Sequence, residues 1–197
     1  MDNIKEKIKE FYTNEGLNPS SHQQFVYSKE TSQMRFNAVC TLMKEYFEGH
    51  KFLEVGCAEG LYCEMASWFA TLVVGVDISK PKLEKTKNTH NVIYMEGDWD
   101  SLPFVKDSFD MALATEVIEH SLDPQALVDS LFTIANKVVA TVPIHETLAE
   151  SPFTGRKSGH LHAFRPESFK LLFSKYKIDH YFQNDEVGFA LIGASRK

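Results

Sequence analysis

The sequence predicts an α/β fold: a seven-stranded, doubly wound, mostly parallel sheet that ends in an antiparallel hairpin. Two observations carry this. From residue 51 onward, short apolar or β-branched runs alternate with stretches of helical period, the pattern of βαβ units with helices on both sheet faces. Near the C-terminus the rhythm breaks. Lys177–Phe182 and Val187–Ala194 are separated only by Gln183-Asn184-Asp185-Glu186, too short a link for a parallel crossover.

The elements follow in order. Ile4, Ile8, Phe11 and Tyr12 stand at helical spacing and predict an amphipathic helix over 2–12. Residues 13–30 are polar and irregular, with Gly16 and Pro19. Met34, Ala38, Val39, Leu42, Met43, Tyr46 and Phe47 predict a second helix over 31–48, closed by Gly49. Strands are then expected at Lys51–Val55, Thr71–Val76, Val92–Met95, Phe109–Ala114 and Lys137–Val142. Helices are expected over 59–69, 80–87, 123–135 and 166–175. About a quarter of the chain precedes the first strand, and this segment can cap a site formed later. The expected organisation is a single domain over 1–197, with a helical cap over 1–49 and a Rossmann-like core over 50–197.

Composition narrows the class. With 43% hydrophobic and 24% charged residues in 197, the chain is not disordered and can bury its own core. A net charge of −6 argues against non-specific nucleic-acid binding. Three cysteines, Cys40, Cys57 and Cys63, form no C-x-x-C pair and fit free thiols in a reducing compartment. No apolar run approaches the ~18 residues of a membrane span, and the first residues lack a signal-peptide core. The expectation is a cytoplasmic protein with no membrane partner; its oligomeric state stays open.

Chemistry concentrates at the end of the first strand, in Glu54-Val55-Gly56-Cys57-Ala58-Glu59-Gly60. Glycine permits a tight turn that lies close beneath a ligand. Asp77 ends the second strand about twenty residues on, where a carboxylate can accept both ribose hydroxyls. A dinucleotide fingerprint would want glycine where Ala58 and Leu61 stand, and Glu59 and Glu64 would repel a pyrophosphate. A phosphate-free adenosine ligand fits better.

This segment resembles the first motif of class I S-adenosylmethionine-dependent methyltransferases, and further motifs follow in the same order. Val74-Gly75-Val76-Asp77-Ile78-Ser79 is similar to the ribose-binding strand end, and Glu96-Gly97-Asp98-Trp99 to the adenine-binding turn. Leu102-Pro103-Phe104, Ser108–Ala114 and Glu116-Val117-Ile118-Glu119-His120 with Asp123-Pro124 complete the set. The resemblance implies the class I methyltransferase fold, S-adenosylmethionine as cofactor, and transfer to a small-molecule acceptor, most simply at oxygen. RNA 2′-hydroxyl methylation and a non-catalytic S-adenosylmethionine-binding module are the alternatives. It assigns Glu54, Gly56, Cys57 and Gly60 to the methionine part, Asp77 and Ile78 to the ribose, and Gly97, Asp98 and Trp99 to the adenine. Thr115 and Glu116 fall near the reactive sulfonium, and Arg35 can reach the cofactor carboxylate. Ala58 replaces a glycine common in the family, tolerable if it keeps negative φ.

Glu116, Glu119 and His120 stand at i, i+3 and i+4 and share a face if helical. Such a set can hold a divalent cation, Mg or Zn, with a fourth ligand from His162 or His160. It is similar to the Glu-x-x-Glu-His with a later histidine of small-RNA 2′-O-methyltransferases, where position matches Glu116, Glu119, His120 and His162. Ubiquinone-biosynthesis O-methyltransferases carry a similar pattern. Metal binding, a metal-free general base at His120 with Glu116 beside it, and a structural role all remain open. Finally, the long segment 143–165, with Arg156, Lys157 and Arg165, can form an acceptor lid, and the aromatics and amides of Ser21–Tyr27 its other wall.

Overall fold

A computed structural model describes residues 2–17, 30–87, 89–144 and 160–197. Two N-terminal helices come first, α1 (Asp2–Gly16) and α2 (Glu30–Tyr46). The core then runs β1 (Lys51–Val55), α3 (Leu61–Ala66), β2 (Leu72–Asp77), α4 (Lys80–Leu83), β3 (Val92–Glu96) and β4 (Phe109–Thr115). After a 3₁₀ turn at Ile118–His120 come α5 (Pro124–Ile134), β5 (Ala135–Pro143) and α6 (Pro166–Leu172). The strands β6 (Lys177–Asn184) and β7 (Phe189–Ser195) close the chain.

The seven strands form one sheet in the order β3-β2-β1-β4-β5-β7-β6. β1 pairs in parallel with both β2 and β4, so the chain reverses its winding at β1 and opens a crevice there. β7 inserts antiparallel between β5 and β6, the hairpin that the four-residue link required.

Alternation along the strands divides the core in two. Leu53, Val55, Val74, Val76, Ala112 and Val138 pack to one face, against α5 and α6. Phe52, Val73, Met111, Leu113 and Val139 pack to the other, against Val39, Leu42 and Met43 of α2 and Cys63 and Ala66 of α3. Fully burying one such side chain contributes roughly 1.5–3 kcal/mol, so the two layers hold the strand ends that carry the site.

Some boundaries move for local reasons. The helix expected from residue 59 starts at Leu61, because Gly60 at φ 78° remains in the turn. The helix expected over 80–87 is one turn, Lys80–Leu83. α1 runs on past residue 12 to Gly16. α5 begins where expected: the Asp123 carboxylate accepts from the Ala126 amide at 3.0 Å, and Pro124 follows as the first helical residue.

Candidate functional site

A cleft of about 260 Å³ lies at the carboxyl ends of β1, β2 and β4, the reversal point of the sheet. Its floor is the turn after β1. The amides of Gly56 and Cys57 both donate to the Val76 carbonyl, at 2.8 and 3.0 Å, and tie the turn to the end of β2. Gly56 has φ 72°, and a Cβ there would lie 2.3 Å from Val117 Cγ2. Gly60 has φ 78°, and a Cβ there would lie 2.3 Å from the Tyr94 hydroxyl. Both positions therefore require glycine, for conformation and for space.

Ala58 does not keep the expected negative φ; it sits at φ 48°. Left-handed backbone costs an L-residue roughly 1–2 kcal/mol. The compensation is visible: this conformation aims the Ala58 amide at Asp77 Oδ2, 2.8 Å away. Asp77 Oδ1 accepts from the Ser79 amide at the same distance. Asp77 is buried, and desolvation raises its carboxyl above the ordinary value against those two amides and Lys82.

Glu54 is the second buried carboxylate. Burial pushes its pKa up to about 8, although Cys63 hydrogen-bonds to it. Its Oε2 has no hydrogen-bond partner among the described residues, yet Glu54 lines the cleft. A buried carboxylate with an orphan oxygen beside a cavity suits a cationic ligand group.

The opposite wall follows β4. Thr115 and Glu116 line it, but Glu116 stands at φ 54° and is not helical. Its carboxylate is taken by Arg35 Nη1 at 2.8 Å and Thr141 Oγ1 at 3.0 Å. The expected quartet of Glu116, Glu119, His120 and His162 therefore does not assemble. Only Ile118–His120 is helical, as a 3₁₀ turn, so i and i+3 do not share an α-helical face. His162 instead places Nε2 3.0 Å from the Ser121 carbonyl oxygen. The residue that joins is His160, whose ring centroid is 4.7 Å from that of His120. Ligand atoms of Glu119, His120 and His160 lie within 4.8 Å of one another. A tetrahedral zinc ion at ~2.1 Å from each would need its donors about 3.4 Å apart, so this set fits a cation after a modest contraction.

Of the other predicted residues, Cys57, Trp99 and Arg35 line the cleft. Ile78 is buried in the core, and Gly97 follows β3 with its amide on the Asp77 carbonyl. Asp98 does not open to the cleft: Oδ2 meets Lys5 Nζ at 2.7 Å and Oδ1 accepts from the Asp100 amide at 2.9 Å. Sequence reasoning missed Tyr12, whose hydroxyl is 2.8 Å from His120 Nδ1 and 3.1 Å from Nε2. Its helical spacing marked it only as core. Ser21–Tyr27 and, within 143–165, Arg156 and Lys157 lie outside the described residues, whereas Arg165 is exposed ahead of α6.

Comparison with known proteins agrees with this geometry. A family described as methyltransferase domain matches residues 53–138. The ubiquinone biosynthesis O-methyltransferase of Bartonella quintana is 34% identical over 113 residues, covering 54% of this chain and 44% of that one. The chain spans about half the length of the curated relatives it matches. An S-adenosylmethionine-dependent methyltransferase from Mesorhizobium loti superposes with a TM-score of 0.63 at 17% identity, covering 79% of this chain and 96% of that one. A Pyrococcus horikoshii protein superposes with a TM-score of 0.67 at 15% identity, covering 86% and 93%. Residues 53–138 thus match a methyltransferase domain family, and the chain shares the fold of these solved structures.

Proposed function

We propose that this chain is a methyltransferase that transfers a methyl group from S-adenosylmethionine to an oxygen atom of a small molecule. The observation that carries the cofactor assignment is the pair of buried carboxylates, Glu54 and Asp77, beside a turn that requires glycine at positions 56 and 60. The relatives named for O-methylation of a small molecule support the acceptor class.

The cofactor, when bound, supplies an electrophilic methyl on a sulfonium. Glu54 receives its amino group at the orphan Oε2, and Asp77 receives the ribose hydroxyls. Trp99 walls the adenine side. Arg35, held by Glu116, presents its guanidinium to the cofactor carboxylate. The chain's main task is to fix the acceptor in line and exclude water, which can contribute several kcal/mol to lowering the barrier. A hydroxyl acceptor also has to lose its proton. His120, beyond β4 and next to Tyr12 and His160, is the group that would take it; its contacts with Tyr12 and His160 support this reading.

A second reading rests on the Glu119, His120 and His160 grouping. In it, a divalent cation binds there and orients the acceptor oxygen. Two imidazoles and one carboxylate suit zinc or a similar transition ion better than magnesium, which prefers all-oxygen surroundings.

The test is transfer of labelled methyl from S-adenosylmethionine into fractionated cell extract, with and without chelator. Label in small molecules supports the proposal. Loss of that label with chelator, restored by zinc, supports the metal reading, whereas indifference to chelator leaves His120 as base. Label confined to RNA would replace the acceptor class.

A further inference from the structure

Among the described residues, the cleft carries more acid than base. Glu54, Glu59, Asp77 and Glu116 line it, against Arg35 and Lys82. Both cations already face a carboxylate: Arg35 Nη1 lies 2.8 Å from Glu116, and Lys82 Nζ lies 2.5 Å from Glu15. On the cofactor reading above, the ligand's amino-acid end brings a carboxylate of its own into these surroundings. Arg35 meets it while sharing its charge with Glu116, so the site calls for a second donor that is neutral.

Two phenols line the cleft, and they differ. The Tyr12 hydroxyl lies 2.8 Å from His120 Nδ1 and is engaged. The Tyr62 hydroxyl has no hydrogen-bond partner among the described residues. Tyr62 is the second residue of α3, just after the left-handed turn at Gly60. Its chain neighbours Leu61 and Cys63 are buried, whereas Tyr62 is only partly so and lines the cleft. Its ring rests against Phe36 of α2, with centroids 5.3 Å apart and planes at 33°. Phe36 follows Arg35 in the chain, so one stretch of α2 supplies both the guanidinium and the support for the phenol. Burial raises the phenol well above its ordinary range; Arg35 opposes the shift, and Glu54 and Glu116 add to it. The hydroxyl therefore keeps its proton and can donate it in a hydrogen bond.

We infer that Tyr62 is a binding residue of the cofactor site, its hydroxyl donating to the carboxylate of the cofactor's amino-acid end beside Arg35. The inference rests on the cofactor reading above. Glu54 on β1 then takes the ammonium, and Tyr62 on α3 the carboxylate. The pair selects a ligand with a zwitterionic amino-acid tail over one that lacks the carboxylate. No sequence motif marks the position.

The test compares two probes on the full chain by calorimetric titration. One is S-adenosylhomocysteine; the other is its decarboxylated analogue, which keeps the amine, the sulfur and the adenosine. Tyr62→Phe removes only the hydroxyl and keeps the ring on Phe36. Affinity for S-adenosylhomocysteine should fall roughly tenfold or more, the loss of one hydrogen bond to a charged acceptor. Affinity for the decarboxylated probe should change by less than about twofold. Undiminished S-adenosylhomocysteine affinity in Tyr62→Phe would overturn the assignment. So would an equal loss on both probes, which would make Tyr62 a support of the pocket's shape. Absence of binding of either probe to the unsubstituted protein would instead overturn the cofactor reading.

Discussion

The two walls of the cleft are built on different terms. The β1–β2 wall is local: Gly56, Cys57 and Ala58 hydrogen-bond to the end of β2 within some twenty residues of chain. Its side chains are set by backbone geometry, so their spacing in sequence predicts their place in space. The β4 wall is assembled from afar. Glu116 is held by Arg35 and Thr141, His120 by Tyr12, and the Glu119 carbonyl by the amides of Leu161 and His162. There sequence spacing misleads, because the partners that decide each side chain's direction are distant in the chain. On the proposed function, cofactor recognition falls to the locally built wall and acceptor chemistry to the wall assembled from distant segments.

The largest expected effect lies in the locally built wall. Gly56→Ala places a Cβ against Val117 at φ 72° and should cost about 2–5 kcal/mol of stability, read by urea denaturation. A cost under ~1 kcal/mol would show that the turn is softer than its geometry implies.

The pH dependence comes next. Burial raises the Glu54 pKa from 4.5 to about 8 in the folded chain. The folded state therefore binds more protons between those values, and stability falls as pH rises through that window, by up to ~1.4 kcal/mol per unit. Glu54→Gln should flatten the slope. A bound ammonium reverses the preference, so affinity for S-adenosylhomocysteine should climb between pH 6 and 8, with proton release seen as buffer-dependent heat. Affinity that falls over this range would remove Glu54 from the amino-group site.

On the distant wall, Glu116 and Glu119 should separate cleanly. Glu116→Gln weakens the pairing with Arg35 and should cost about 1 kcal/mol while leaving zinc affinity unchanged. Glu119→Gln should abolish zinc binding, if calorimetry shows any. The reverse pattern would restore the helical-face arrangement. The smallest effect is Ala58→Gly, which relieves left-handed strain but loosens the unfolded chain. A net gain of about 0.5 kcal/mol is expected by thermal melting.

This contrast also explains what was legible in the sequence. Sheet, antiparallel hairpin and glycine turn rest on periodicity, loop length and chain-local geometry and were legible, although the hairpin's four-residue link is Asp185–Gly188, two residues later than read, because Gln183 and Asn184 pair with Ala190 and Phe189. Helix ends shifted where one residue's φ decides them, as at Gly60. Ala58 was read with the wrong sign of φ because the reward for the strained form, a hydrogen bond to Asp77, is invisible until β1 and β2 pair. Glu116 was placed with Glu119 because i, i+3 spacing presumes a helix that φ 54° at Glu116 forbids. Tyr12 carried no motif, and only the docking of α1 brings it to His120; His160 was read as an alternative to His162, and it is His160 that reaches His120.

The most direct measurement is calorimetric titration of the intact protein and Asp77→Asn with S-adenosylhomocysteine. The expected result is saturable binding to the unsubstituted chain and affinity lower by about two orders of magnitude in the variant, which should also melt lower because the Asn amide nitrogen faces one of the two backbone amides that Asp77 accepts. Equal affinity in the two proteins, or no binding to either, would contradict the cofactor site.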